Sequence, residues 1–134
     1  MVSKEELIKK ALEAREKAYV PYSKFPVGAA LITKEGKIFT GCNIENAAFP
    51  VTCCAERTAL FKAVSEGERS FEALAVVADT ERPVSPCGSC RQALAELCPP
   101  EMPVYLANVK GEMETTDVAS LLPGAFGAKD LVKR

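Results

Sequence analysis

The chain of 134 residues contains no histidine. Histidine-based catalytic triads, histidine general bases and histidine-rich metal sites are therefore excluded. Any proton transfer must fall to a carboxylate, a thiol or water. The chemistry of this protein must be sought among its cysteines and acidic residues.

The chain also lacks a large excess of charge of either sign, with 17 Lys and Arg against 18 Asp and Glu. A binding surface for nucleic acid or for an anionic membrane is therefore not expected, and small neutral partners are favoured. No run approaches the roughly 20 apolar residues that a membrane span needs, and the first residues lack the apolar core of a signal peptide. We expect a soluble, cytoplasmic protein.

Length, composition and cysteine usage narrow the class further. With 48% hydrophobic residues, positions 1–134 can bury one core but are too few for a second domain, so we expect a single domain. Six cysteines could form a disulfide framework in a secreted protein. Their unequal spacing and the lack of a signal peptide favour metal binding in a reducing compartment.

Apolar periodicity and turn signals predict an α-β-β-α-β-α-β-β order of elements. Ser3 and Glu6 form a predicted capping box, and Thr52 is the predicted N-cap of the second helix. Alternating strands and helices imply right-handed crossovers and a sheet covered by helices. The predicted helices cover residues 3–18, about 53–66 and 87–98, the strands 27–33, 38–42, 71–78, 104–107 and 112–115, and a last short helix 117–122.

The most informative pattern is C-A-E at positions 54–56, followed about thirty residues later by P-C-G-S-C at 86–90. Structural zinc sites use four protein ligands, whereas catalytic sites keep three and leave the fourth position to water. Cys54, Cys87 and Cys90 are the candidate zinc ligands, and Glu56 is the candidate general base. Three thiolates beside a carboxylate that is not a ligand indicate hydrolysis.

One zinc ion with three thiolates carries a net negative charge, which raises the pKa of its bound water. A nearby cation would offset this charge. Arg57 and Arg91 each directly follow a ligand motif. We predict that Arg57 is the partner of the cysteine sulfurs.

Other interpretations of the cysteines stay open at this point. Cys53 could be a fourth ligand, which would make the site a structural zinc module that binds protein or RNA without catalysis. Cys87 and Cys90 could instead be a redox dithiol. Cys42 and Cys98 are expected to pack as small hydrophobic residues.

The signature of zinc deaminases is H-x-E followed by P-C-x-x-C, with cysteine replacing histidine in one branch. The chain resembles the small homotetrameric, zinc-dependent cytidine deaminases of the three-cysteine branch over nearly its whole length. Further segments that match are F-P-V-G-A-A at 25–30, G-C-N-I-E-N-A at 41–47 and L-P-G-A-F at 122–126. The resemblance implies an α/β fold, namely a three-layer α-β-α sandwich with a five-stranded mixed sheet, and one zinc ion per chain.

The resemblance also implies the reaction, which is hydrolytic deamination of free cytidine and deoxycytidine to uridine and deoxyuridine with release of ammonia. A zinc-bound hydroxide would attack the ring while Glu56 moves two protons in succession. The alternative is a deaminase of the same fold that acts on another cytosine-containing substrate, such as an antibiotic or an edited RNA. Asn43 and Glu45 argue against that alternative.

In the family, residues matching Asn43 and Glu45 bind the ribose 3′-hydroxyl, and the residue matching Phe25 stacks beside the pyrimidine. The amide of Ala55 and the carbonyl of Ser85 would read the edge of the base. A carboxylate aimed at the 3′-hydroxyl repels a phosphate there, which favours free nucleosides over polynucleotides.

Two further positions concern neighbouring subunits. Phe126 matches an aromatic residue that reaches into the active site of another subunit of the homotetramer. Phe49 stands where the family often has tyrosine, so a hydroxyl contact near the 5′ end of the ribose would be lost here while stacking could remain.

Overall fold

The computed structural model of the chain describes residues 2–131. The strands are β1 (Val27–Thr33), β2 (Ile38–Cys42), β3 (Phe71–Ala78), β4 (Pro103–Asn108) and β5 (Met113–Asp117). The helices are α1 (Lys4–Arg15), α2 (Ala55–Ser65), α3 (Gly88–Leu97) and α4 (Val118–Leu121), with 3-10 turns at Phe49–Val51 and Ala128–Leu131.

The five strands form one mixed sheet in the order β2-β1-β3-β4-β5. Strands β3 and β4 are parallel, with Leu74 opposite Val104, and the other three pairs are antiparallel. The parallel pair is connected through α3, as expected because a parallel connection needs a crossover element. This confirms the predicted five-stranded mixed sheet.

Helices cover both faces of the sheet. Leu7 and Ala11 of α1 pack on one face with alternate residues of β1 and β3. Residues of α2, α3 and α4 pack on the other face in a second apolar cluster that includes Leu60, Leu94 and Val118. Strand β3 is central, so all its residues except Glu72 are buried, which explains its continuous apolar sequence. The three-layer sandwich is confirmed.

The ends of two helices differ from the sequence predictions. The capping box of Ser3 and Glu6 is present, but α1 ends at Arg15 and not near residue 18. The cause is tertiary, because Tyr19 pairs in an isolated bridge with Ile44 and the chain must leave the helix to reach it. The predicted N-cap Thr52 is wrong, since its Oγ1 accepts a hydrogen bond from the amide of Asn46 at 3.1 Å and α2 begins after Cys54.

The remaining boundaries lie close to their predictions. Strands β1, β2 and β3 have the predicted ends, whereas β4 extends by one residue at each end and β5 begins one residue later and continues to Asp117. Within residues 2–131, none of the helices has both the length and the apolar character needed to cross a membrane.

Candidate active site

The three candidate ligands lie at the beginnings of two helices. Cys54 is the N-cap residue of α2, Cys87 is the N-cap residue of α3, and Cys90 is the third residue of α3. The side chains of Cys54 and Cys87 make no capping hydrogen bond to their helices in the described structure. The partial positive charge at both helix N-termini therefore acts on sulfur atoms, and it favours the thiolate form.

The three sulfur atoms form a compact group. The Sγ of Cys87 lies 3.7 Å from that of Cys54 and 3.5 Å from that of Cys90. Both distances are far longer than the roughly 2.05 Å of a disulfide bond. They are close to the separation of about 3.8 Å that tetrahedral zinc imposes on two sulfurs at about 2.3 Å from the metal. The donor set therefore fits a zinc ion.

Among residues 2–131, the cysteines grouped closely enough to hold a metal ion do not include Cys53. Its main chain forms the bridge with Ile44, and its Sγ accepts a hydrogen bond from Thr58 Oγ1 at 3.5 Å. Successive residues at the start of a helix point in different directions, so the neighbour of a ligand is turned away from the metal position. The geometry thus provides three cysteine ligands.

The charge on the sulfurs is shared and partly neutralised. A hydrogen bond from Cys90 and a second from Arg57 lower the pKa of Cys54 to about 5. The same hydrogen bond, together with burial, raises the pKa of Cys90. Of these two thiols, Cys54 therefore ionises more readily.

Arg57 lies where an opposing cation is needed. Its Nη2 donates to Cys54 Sγ at 3.3 Å, and this contact raises the pKa of the guanidinium. Its Nε is buried and has no hydrogen-bond partner within the described part of the chain. The guanidinium therefore retains donor capacity beside the sulfurs.

Glu56 is the second residue of α2 and is only 5% exposed. Burial raises the pKa of its carboxyl to about 7, and the charge on Cys54 acts in the same direction. A carboxyl with a pKa near neutrality can both accept and donate a proton at that pH. Among the described residues, the group that could hold a metal ion consists of the three cysteines and does not include Glu56.

Glu45 and Asn43 organise the chain in front of β1. The Oε1 of Glu45 accepts hydrogen bonds from the amides of Tyr22 and Ser23, each at 3.0 Å, and its Oε2 accepts one from the Ser23 hydroxyl. Asn43 accepts from the amide of Val27 at 2.9 Å and donates to the carbonyl of Phe25 at 2.8 Å. Both side chains therefore hold the loop that carries Phe25.

A surface depression of about 390 Å³ lies against Glu45. Tyr22 and Phe49 form one side of it, with their rings edge-on at a centroid distance of 6.2 Å. The hydrogen bond from Ser23 chiefly lowers the pKa of Glu45, so this carboxylate is ionised at neutral pH. The depression combines aromatic rings with one negative charge.

The remaining predicted residues differ in their exposure to solvent. Phe25 is 39% exposed, Ser85 is exposed, and Ala55 is buried as the first residue of α2, where an amide has no partner within its own helix. Phe126 is 59% exposed, and its carbonyl accepts a hydrogen bond from Gln92 Nε2 at 2.9 Å.

Comparison with known proteins agrees with this geometry. Residues 1–106 match the family described as the cytidine and deoxycytidylate deaminase zinc-binding region. The chain belongs to this family.

Relatives of this deaminase-family chain match it over nearly its full length. It is 68% identical over 127 residues to a cytidine deaminase of Sporosarcina psychrophila, covering 95% of the chain and 93% of that relative. It is 62% identical over 125 residues to one of Halalkalibacterium halodurans, covering 93% of the chain and 95% of the relative. The crystal structure of a cytidine deaminase from Burkholderia pseudomallei matches with a TM-score of 0.92 at 51% identity, covering 93% of this chain and 100% of the other.

Arg91 makes structural contacts in this family member that were not predicted from the sequence. Its guanidinium donates to the carbonyls of Pro86 at 2.8 Å and Leu121 at 2.7 Å and to the hydroxyl of Ser85 at 2.6 Å. It therefore ties the loop before Cys87 to the end of α4. The only sequence signal was its position directly after one of the two ligand motifs, which Arg57 shares.

Proposed function

We propose that this chain is a zinc-dependent cytidine deaminase, which converts free cytidine and deoxycytidine with water into uridine or deoxyuridine and ammonia. One observation carries the proposal: three cysteine sulfurs converge within 4.8 Å of one another at two helix N-termini, beside the buried Glu56. Relatives that match nearly the whole chain are named cytidine deaminases, which supports the choice of substrate.

Cys54, Cys87 and Cys90 would hold the zinc ion, and Arg57 would reduce the negative charge of the three thiolates through its contact with Cys54. When bound, zinc supplies a Lewis acid that lowers the pKa of a water molecule toward neutrality. The remaining chemistry is proton transfer by the protein.

Glu56 carries out that transfer. Its carboxylate accepts a proton from the attacking water and donates it to the ring nitrogen beside the amino-bearing carbon, which makes that carbon more electrophilic. Once the water oxygen is bonded to that carbon, Glu56 takes the second proton from the new hydroxyl group and passes it to the amino nitrogen. The carbon–nitrogen bond then breaks, the amino group leaves as ammonia, and the carbonyl of uracil remains. Burial of this side chain keeps bulk water away from the transfers and supports a pKa suited to both directions.

The nucleoside would be bound by residues from several separate segments of the chain. The ring of Phe25 packs beside the pyrimidine, and the amide of Ala55 and carbonyl of Ser85 bind its edge. Asn43 and Glu45 bind the ribose 3′-hydroxyl. An ionised carboxylate can accept about four hydrogen bonds, one at each lone-pair position. The Glu45 carboxylate accepts three from within the protein, so one position remains for the ribose hydroxyl.

We further propose that the chain forms one domain over residues 1–134 and acts as a cytoplasmic homotetramer, without nucleic-acid or membrane partners. Phe126 would complete the site of a neighbouring subunit, and Phe49 would stack there without a hydroxyl contact. The exposure of both rings, 59% for Phe126 and 70% for Phe49, supports an interface. All six cysteines are free, which suits a reducing compartment.

The test compares the purified protein with its Glu56→Gln variant. Loss of the ultraviolet absorbance of cytidine measures deamination, and zinc per chain is measured on the same samples. We expect deamination by the wild type and a kcat lower by at least about 10²-fold for the variant, because general acid-base catalysis supplies 10²–10⁴-fold.

Zinc content should be unchanged in Glu56→Gln. Loss of zinc from this variant would make Glu56 a structural ligand. Wild-type protein with a full complement of zinc and no deamination would support the non-catalytic zinc module.

A further inference from the structure

Gly41 lies where β2 meets the beginning of α2. A Cβ atom at this position would be 2.5 Å from the amide nitrogen of Ala59 and 2.6 Å from the carbonyl oxygen of Ala55. Real Cβ contacts essentially never fall below 3.0 Å. The colliding atoms belong to the helix backbone, so no side-chain rotation can relieve the contact. Any other residue at position 41 must increase the separation between α2 and β2.

The part of α2 that touches Gly41 is the part that forms the site. Cys54 is the N-cap, and Glu56 follows the residue whose carbonyl would collide. The amide of Thr58 donates to the Cys54 carbonyl at 2.9 Å, so the first turn is internally fixed. A displacement of this turn would therefore carry the ligand and the base with it.

The other two ligands are held by different elements. Cys87 and Cys90 belong to α3, and Arg91 ties the loop before α3 to α4. Moving α2 alone would change the distance between the sulfurs of Cys54 and Cys87, which is 3.7 Å. Metal-ligand distances tolerate deviations of about 0.2 Å, and a misplacement of about 1 Å at a catalytic group can lower the rate about 10²-fold.

We propose that Gly41 is a positioning residue, which sets the depth of α2 on the sheet and thereby the distance of Cys54 and Glu56 from the ligands on α3. Its effect on metal binding follows from geometry alone. Its effect on turnover rests on the proposed function.

The chain offers a matched control in Gly28. A Cβ at Gly28 would lie 1.9 Å from the carbonyl oxygen of Ala11 and 2.6 Å from the amide of Arg15, which are backbone atoms of α1. Gly28 and Gly41 stand on neighbouring strands, with Gly28 opposite Cys42 and Gly41 opposite Ala29. Gly28→Ala therefore imposes a similar collision on the opposite face, against a helix with no metal ligand.

The experiment measures zinc affinity by competition with a chromophoric chelator, together with circular dichroism, Tm and the kinetics of cytidine deamination, for both alanine variants. Both should show a lower Tm. Gly41→Ala should raise the Kd for zinc at least about tenfold and lower kcat by about 10–10²-fold. Gly28→Ala should keep the Kd for zinc within about twofold of the wild type, because α1 holds no ligand.

A folded Gly41→Ala variant with wild-type zinc affinity would overturn the proposal, and so would an equal loss of affinity in Gly28→Ala. If Gly41→Ala does not fold, the zinc affinity of Lys62→Met is measured instead. The hydrogen bond from Lys62 Nζ to the Thr40 carbonyl also joins α2 to β2, and this variant removes it. A Kd for zinc raised at least about threefold supports the proposal, and an unchanged Kd overturns it. Wild-type protein that binds zinc without deaminating cytidine would defeat the proposed function, while the zinc affinities would still test Gly41.

Discussion

At the scale of single residues, the adjacent Cys53 and Cys54 have different surroundings, and only Cys54 belongs to the group of candidate ligands found among residues 2–131. The Cys54 sulfur lies 3.7 Å from that of Cys87, whereas the Cys53 sulfur accepts a hydrogen bond from Thr58. Ordinary helical geometry separates the two side chains. Their removal should therefore have unequal effects.

We expect Cys53→Ala to keep both zinc and deaminase activity and Cys54→Ala to lose both. The first change removes only a weak hydrogen bond, whereas the second leaves two thiolates for a metal that needs three. Zinc per chain and cytidine turnover on the two purified variants check the prediction. Zinc loss from Cys53→Ala would contradict the assignment of three ligands.

Glu45 differs from the zinc ligands because its carboxylate supports the structure and is proposed to bind substrate as well. Glu45→Gln replaces one of the two acceptor oxygens by an amino group, which can only donate. Either the Ser23 hydroxyl or the two amides therefore lose their acceptor. We expect the KM for cytidine to rise about tenfold or more, the equivalent of one lost hydrogen bond to a charged group. Turnover of free cytosine should not improve.

The pKa of Glu45 is lowered, so the carboxylate is ionised throughout pH 6–8 and the ratio of the variant and wild-type KM values should be constant over that range. Steady-state kinetics at several pH values measure it. An unchanged KM for cytidine would remove the ribose role of this residue.

At the scale of elements, α3 and its N-cap residue carry two of the candidate zinc ligands, and α3 also organises the segment that follows α4. Arg91 contacts three acceptors that belong to the loop before α3 and to the end of α4. The next residue, Gln92, binds the carbonyl of Phe126. One turn of helix thus connects the ligands to the residues proposed to bind the base and the neighbouring site.

We expect Arg91→Lys to raise the KM for cytidine about tenfold, since one ammonium cannot reproduce three hydrogen bonds made by a planar guanidinium and Ser85 is then less well held. Zinc content should be maintained. The control is Arg69→Lys, because Arg69 also donates to two carbonyls but lies beyond the C-terminal end of α2. Equal KM values for both variants would show that Arg91 has no role in placing Ser85.

At the scale of the whole molecule, exposed aromatic residues occur near the loop that carries Phe25 and in the C-terminal segment. Tyr22 and Phe49 pack on one another at the surface, and Phe126 is exposed beyond α4. We propose that these rings contact neighbouring subunits. The proposal of a homotetramer with shared sites can be tested without solving the assembly.

We expect co-expressed Glu56→Gln and Phe126→Ala chains to recover activity that neither variant has alone. A site would be restored where Glu56 comes from one chain and Phe126 from its neighbour, which random assembly allows in about a quarter of the sites. The measurement is cytidine turnover of the mixed assembly, isolated through two different affinity tags. Mixed assemblies no more active than the separate variants would contradict sharing of the site.

Part of this protein follows from its sequence alone. The ends of β1, β2 and β3 were predicted because continuous apolar runs between turn residues depend only on local sequence. The absence of histidine and the spacing of Cys87 and Cys90 restricted the metal chemistry for the same reason. The family resemblance added the fold, which the sheet order confirms.

Only the tertiary structure decided which distant segments act on one another. Tyr19 ends α1 early by pairing with Ile44, Ser23 holds Glu45, and Arg91 reaches Leu121. The close approach of Gly41 to α2 is evident only when the backbone of that helix is placed against it. Local signals encode where an element begins and ends. The depth at which it packs, and hence the distances within the site, depends on contacts between residues far apart in the chain.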